Sequence, residues 1–312
     1  MAKLRALLPP ALMCAGIVGI LLAERRWPLR ARTQCEPERS VRNVILGAGA
    51  LTVVQALEAP IVTPLSRFVE RRGIGLSQWL PLPAWGRDAV AVLVMDYGIY
   101  LWHVLTHKVP GLWRFHLVHH VDLDLDASTA LRFHAADMAI SAPYRALQVL
   151  TAGASPRALA IWQGFFFLSV AFHHSNIRLP SRLERALSRV LTTPRMHGIH
   201  HSAVQDQTDS NWSSGLSVWD HLHRTFRLDV PQDAIAVGVP AYRDPAELGV
   251  GASLAMPFRP GRDAWAAPMN PASRAKATSR SHQPASVGEQ DEPVNRRNSR
   301  SSKRGLRRKY GA

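Results

Sequence analysis

Eleven of the fourteen histidines lie between His103 and His201, and most of them fall into three short groups. His103 and His107 are four residues apart, His116, His119 and His120 form an HxxHH run, and His197, His200 and His201 form another. On a helix, residues three and four apart share a face, so each group presents its rings together. Several ionisable rings near apolar segments carry a real electrostatic cost if protonated, and binding metal through neutral imidazole removes it. Eight imidazoles exceed what one ion with an open substrate position uses, so two metals are the natural reading. Ligand type does not choose among Fe, Zn, Cu and Ni. Only Cys14 and Cys35 are present, which supports neither a disulfide framework nor a thiolate site.

The apolar segments constrain how these groups meet. Residues 7–23 are apolar and about long enough to span a bilayer, and Arg25, Arg26, Arg30 and Arg32 follow, which predicts a cytoplasmic location for residues 24–42. Residues 44–65 are apolar but interrupted by Glu58 and two prolines, so a kinked span and a re-entrant segment fit equally. Residues 89–105 form a third segment, whose end delivers His103 and His107. Residues 138–150 and 158–172 read as two arms around a hairpin tip at 151–156. Their open ends, at His134 and His174, return the chain to the side where His103 and His107 sit. From 181 to 258 the chain reads as soluble, with helical signals first and turn signals later.

The formal charge of +15 raises the question of nucleic-acid binding, and its location answers it. Residues 259–312 hold thirteen Lys and Arg against four Asp and Glu, while the rest of the charge lies beside apolar segments, as in a membrane protein. No specific nucleic-acid partner is expected. Composition sets off membrane-anchor segments at 1–84 and a disordered basic tail at 259–312 from the histidine-bearing region between them, 85–258. Eight basic residues between Arg296 and Lys309 suit contact with anionic lipid.

Over residues 85–258 the chain resembles the fatty acid hydroxylase and sterol desaturase superfamily. The likeness rests on Trp102-His103 through His107, on Arg114-Phe115-His116-Leu117-Val118-His119-His120, and on Thr193-Pro194-Arg195-Met196-His197-Gly198-Ile199-His200-His201. Arg132-Phe133-His134, His174-Ser175-Asn176 and the stretch from Asn211 to Trp219-Asp220 extend it. The chain is expected to be an all-α integral membrane protein with a histidine-rich centre at the cytoplasmic face, in a bacterial inner membrane. The resemblance implies two Fe ions, with Zn as a possible substitute, and O2 as co-substrate for hydroxylation or desaturation of a lipid. Carried over by position, the ligands are His103, His107, His116, His119, His120, His174, His197, His200 and His201. His134 is read either as a further ligand or as a hydrogen-bonded interfacial residue, and His174 is preferred to its neighbour His173. His221 and His223 are expected in an exposed turn or strand, and Asp122, Asp124 and Asp126 in a solvated loop.

No haem, ferredoxin or dinucleotide motif is visible, so a separate electron-donor protein is implied. The competing function is a non-redox zinc-binding or metal-transporting membrane protein. Transport calls for polar residues distributed through the spans, whereas these histidines gather at one membrane face.

Overall fold

Two helical stretches, 38–79 and 84–108, are long and apolar enough to cross a membrane, and they organise the chain. The computed structural model describes residues 2–266, so the part of the expected tail beyond 266 lies outside the described residues. Helix α1 (Ala2–Arg26) leads through a loop to α2 (Glu38–Val53), which continues through a π-helical turn at Val54–Glu58 into α3 (Ala59–Arg72) and the short α4 (Leu76–Trp79). At that turn the Ala59 amide bonds the Val54 carbonyl five residues back. Pro60 and Pro64 follow and have no N–H to donate, so the local ladder loosens while the rod continues. The helix therefore continues through this segment without a break.

Helix α5 (Ala84–Lys108) carries His103 and His107 on its last two turns, and α6 (Pro110–His120) opens with a proline in its first turn, where a missing N–H costs nothing. Helices α7 (Ala135–Ala152) and α8 (Pro156–His174) form the expected hairpin, closed by Gly153 in the left-handed conformation at φ 72°. Val62, Val69, Met95, Ile99, Val149, Leu159 and Trp162 pack between α3, α5, α7 and α8. Val44, Ile45, Leu51, Leu57, Ile61 and Phe68 stay exposed along α2, the π turn and α3, an apolar surface suited to lipid rather than water.

The remaining helices are short: α9 (Ser181–Leu187), α10 (Pro194–His200), α11 (Gln205–Thr208), α12 (Val218–His223) and α13 (Val250–Ala255). A second core joins α6 to the C-terminal loops, where Leu117 and Val121 meet Val239, Tyr242, Leu248 and Ala264. Among the described residues every regular element is helical, and β pairing is confined to isolated bridges such as Leu191 with Leu216. Packed structure continues past residue 258, since the Ala241 amide bonds the Ala264 carbonyl and Trp265 stacks on Trp113. At the other end, α2 packs along α7, so the N-terminal segments form part of the wall around the histidines.

Candidate metal centre

The histidines converge as two groups of four. His103, His107, His120 and His200 form one, His119, His174, His197 and His201 the other, and within each group the four ligand nitrogens lie within 4.8 Å of one another. Each HxxHH run serves both groups. Successive residues on a helix point about 100° apart, so α6 sends His119 to one and its neighbour His120 to the other. The C-terminal end of α10 sends His197 and His201, four apart, to the second group and His200 to the first. The groups abut, with the rings of His120 and His201 stacked at 4.3 Å between centroids.

Backbone carbonyls fix the rings. His103 Nδ1 donates to the Trp212 carbonyl at 2.7 Å and His200 Nδ1 to the Ser210 carbonyl at 2.8 Å. His119 Nδ1 donates to Arg132 O at 3.2 Å and His174 Nδ1 to Val170 O at 2.8 Å. A neutral imidazole has one N–H, so in each of these rings Nε2 is left with a lone pair. The Nε2 atoms of His119 and His174 nevertheless face each other at 3.0 Å, and those of His197 and His174 stand equally close. Facing lone pairs repel, and a cation between them removes the conflict. The buried Nε2 atoms of His107, His120 and His200 have no hydrogen-bond partner. An all-imidazole donor set of this kind fits a borderline divalent metal.

Electrostatics agrees. Burial pushes His119, His120, His197 and His201 well below the ordinary imidazole range, and neighbouring histidines push them further. Burial takes His200 down to about 3 despite its carbonyl bond. Neutral rings are what metal ligation requires.

Around the histidines lies a saturated polar scaffold that sequence reading missed. Arg39, 1% exposed, donates from Nε to Asp122 at 3.0 Å, from Nη1 to Asp126 at 2.6 Å and from Nη2 to Thr129 and the Asp124 carbonyl. Asp122, Asp124 and Asp126 are buried, contrary to the solvated loop expected of them: Arg39 pairs with Asp122 and Asp126, and the Asp124 carboxylate accepts from the Thr33 and Gln34 amides. Burial alone would raise the Asp122 carboxyl, but Arg39 and Arg132 outweigh it and hold it at about 2. Asp220 accepts from the amides of Trp212 and Ser213, which fixes the carbonyl that holds His103. Asn211 adopts the left-handed conformation at φ 53°, which asparagine tolerates, and its side chain bonds Met196 and Arg227. Thr193 and Pro194 are a helix start, cap and first-turn proline, that aims α10.

Two of the expected residues, His116 and His134, fall outside the two groups. His116 sits between them, its ring 5.2 Å from those of both His103 and His119, with Nδ1 3.6 Å from Asp137. His134 is not brought to the centre: it caps α7 by accepting the Ala136 amide, and its other nitrogen meets the Leu254 carbonyl. His173 packs against His197 at 4.0 Å, while its neighbour His174 joins the second group. Asn176 neither caps a helix nor touches a histidine; it clamps the backbone of Arg30. His221 and His223 lie in α12, exposed, on Phe226 and on the Tyr97 hydroxyl.

A cavity of about 440 Å³ opens beside the centre, and His103, His116, His119, His173, His174 and His197 line one end. Its apolar wall includes Leu51, Val54, Ile99, Trp102, Phe133, Trp162, Phe166 and Val170, from the membrane-embedded helices and the turn before α7. Three of the second group face it, but only one of the first.

Residues 89–225 match the fatty acid hydroxylase family model. An ornithine lipid hydroxylase of Rhizobium tropici is 25% identical over 292 residues, covering 84% of this chain and 86% of that protein. The alkylglycerol monooxygenase of Homo sapiens is 30% identical over 149 residues, 45% of this chain and 30% of that protein. A cholesterol 25-hydroxylase-like protein of Danio rerio is 28% identical over 145 residues, 45% of this chain and 55% of that protein. No solved structure matches the chain.

Proposed function

The chain belongs to the fatty acid hydroxylase superfamily, and from that footing we propose that it is an O2-dependent lipid hydroxylase or desaturase whose two histidine groups hold two iron ions. The observation that carries the reading is the pair of four-imidazole groups at the end of an apolar cavity. His103, His107, His120 and His200 would hold one ion, and His119, His174, His197 and His201 the other. Zinc is the non-redox substitute that the same ligands accept.

Breaking an unactivated C–H bond is beyond any amino-acid side chain, and bound iron would supply the redox chemistry that activates O2 for it. The chain's own residues do the rest. Carbonyls of Trp212, Ser210, Arg132 and Val170 hold the imidazoles in the tautomer that frees Nε2. Trp102, Phe133, Trp162 and Phe166 exclude water and confine the lipid next to the second group. His116 lines the cavity, with the Asp137 carboxylate 3.6 Å from its Nδ1.

Substrate enters laterally from the bilayer, and the relatives' names point to amphiphilic lipids as its class. The arginines after α1 favour the cytoplasmic face of a bacterial inner membrane for the centre. Electrons come from a separate donor protein, and the basic residues after Arg296 contact anionic lipid.

The test is expression of the iron-replete chain in a host lacking it, with and without labelled dioxygen, followed by mass spectrometry of the membrane lipids. One labelled oxygen in a lipid, or a double bond formed only under O2, is expected. Metal-loaded protein that changes no lipid under O2 overturns the proposal.

A further inference from the structure

The cavity is not a plain hydrocarbon slot. Glu58 and Arg145 both line it, each only 8% exposed, Glu58 on the π turn of a helical stretch apolar and long enough to cross a membrane and Arg145 on α7, which packs against that turn. Ionisable groups inside a membrane-embedded bundle are costly and mark function more often than support. The π turn matters here, since it sets the Gln55 and Glu58 side chains on the cavity wall, and such turns recur at functional sites.

Arg145 is held but not satisfied. Its guanidinium lies 4.5 Å over the Trp162 ring, and Nη1 donates to Gln148. Its Nε has no hydrogen-bond partner and stands 3.5 Å from Glu58 Oε1, within ion-pair range but longer than a good hydrogen bond. A guanidinium has five N–H donors, so this buried one keeps unused donor capacity at the wall of an apolar cavity. Arg39, by contrast, is saturated on every side.

Placement along α7 gives the distance. Asp137, Ser141 and Arg145 all line the cavity at helical spacing. Asp137 stands beside His116 at the histidine end, and Arg145 is eight residues further on, about 12 Å along the axis. The cavity thus has an oxidising end and a polar end.

We propose that Arg145, set by Glu58, Gln148 and Trp162, binds a carbonyl or carboxylate group of the lipid, so that the carbon presented to the histidines is selected by its distance from that group. This rests on the hydroxylase reading and adds the part of the substrate that is recognised. Glu58 restrains the guanidinium, and an acceptor on the lipid completes its donors.

The experiment uses the full iron-loaded chain with three probes of equal length: a fatty acid, its methyl ester and the n-alkane. Binding is followed by competition against a brominated fatty acid that quenches tryptophan fluorescence, and turnover is measured in parallel. Wild type is expected to bind the acid and the ester at least tenfold more tightly than the alkane. Arg145→Met should remove that preference and raise KM tenfold or more for the acid, with kcat changed much less and metal content kept. Arg145→Lys should restore part of it, and Glu58→Gln should shift the preference toward the acid. In a series of chain lengths the oxidised position should be constant when counted from the carbonyl.

Equal affinity of wild type for acid, ester and alkane overturns the inference, and so does a position counted from the methyl end. If wild type discriminates among the probes in binding yet oxidises none under O2, the polar end stands and the hydroxylase reading fails.

Discussion

Two buried polar regions lie side by side in this molecule and differ in one respect. Around Arg39 and Asp122, polar groups are charged, fully enclosed and matched donor to acceptor. In the histidine centre they are neutral and mismatched, with nitrogen lone pairs facing one another at 3.0 Å and several ring nitrogens unpartnered. Buried polar atoms are costly to leave unpaired, so a region that keeps them so is built for something the polypeptide does not itself supply. Arg39 is saturated by its neighbours, whereas the clustered imidazoles are not.

The largest effects should come from breaking the unsatisfied side. His174→Ala and His120→Ala each remove one imidazole from one group, and turnover should fall by more than the roughly 10- to 100-fold typical of losing an outer-shell partner. Metal per chain should drop while the helical content stays. His116→Ala and His134→Ala should keep full metal content, because neither belongs to a group. Metal analysis of the four variants checks this, and a loss of metal from His134→Ala would contradict the assignment.

Breaking the saturated side should act on stability instead. Asp122→Ala leaves Arg39 buried with a missing partner, a change that costs about 3–5 kcal/mol. The molecules that remain folded should still load metal. Denaturant unfolding in detergent, paired with metal content, separates the two effects.

Acid should also tell the regions apart. His200 titrates near 3 when folded and near 6.5 when unfolded, so below about pH 6.5 the unfolded chain takes up protons that the folded chain refuses. Stability of the metal-free protein should therefore fall as pH drops from 6.5 toward 3, by up to about 1.4 kcal/mol per pH unit for each such ring. Asp122, held at about 2, contributes stability that is present above the unfolded value of about 4 and lost only as pH falls through about 2. The buried Glu184 and Asp220 carboxyls, raised by burial, act in the opposite sense as pH falls, so unfolding midpoints at pH 7.5, 6 and 5 should be compared between wild type and His200→Ala, and identical pH profiles of the two would contradict the buried, neutral state of that ring.

Much of this was legible in the chain. Helical spacing grouped the histidines, and the count of imidazoles pointed to two metals. The hairpin from His134 to His174 was visible in its apolar arms and its turn residues. Spacing did not show that adjacent residues such as His119 and His120 serve different groups, because that depends on where the partner helices stand. Nor did it show Arg39, whose carboxylate partners lie more than eighty residues away and which read as ordinary cytoplasmic charge. His116 has the motif position of a ligand and lies between the groups rather than in either, a placement that periodicity cannot register.

The smallest effect should come from the C-terminal region. Truncation after Ala266 should leave metal content and turnover in detergent unchanged and weaken salt-sensitive attachment to anionic vesicles, since each lost basic residue contributes up to about 1 kcal/mol there. Truncation after Phe258 also removes Ala264 and Trp265 from the second core and should lower the unfolding midpoint. Equal stability of the two truncations would place the packed boundary at 258 after all.

The central claim is that eight imidazoles hold two redox metals. Iron and zinc should be quantified per chain in wild type, His174→Ala and His120→Ala after iron-replete expression, with O2-dependent lipid turnover measured on the same samples. The account predicts two irons per chain in the wild type and fewer, with turnover lost, in each variant. Full O2-dependent turnover by protein that holds only zinc, or a single metal per chain, would contradict it.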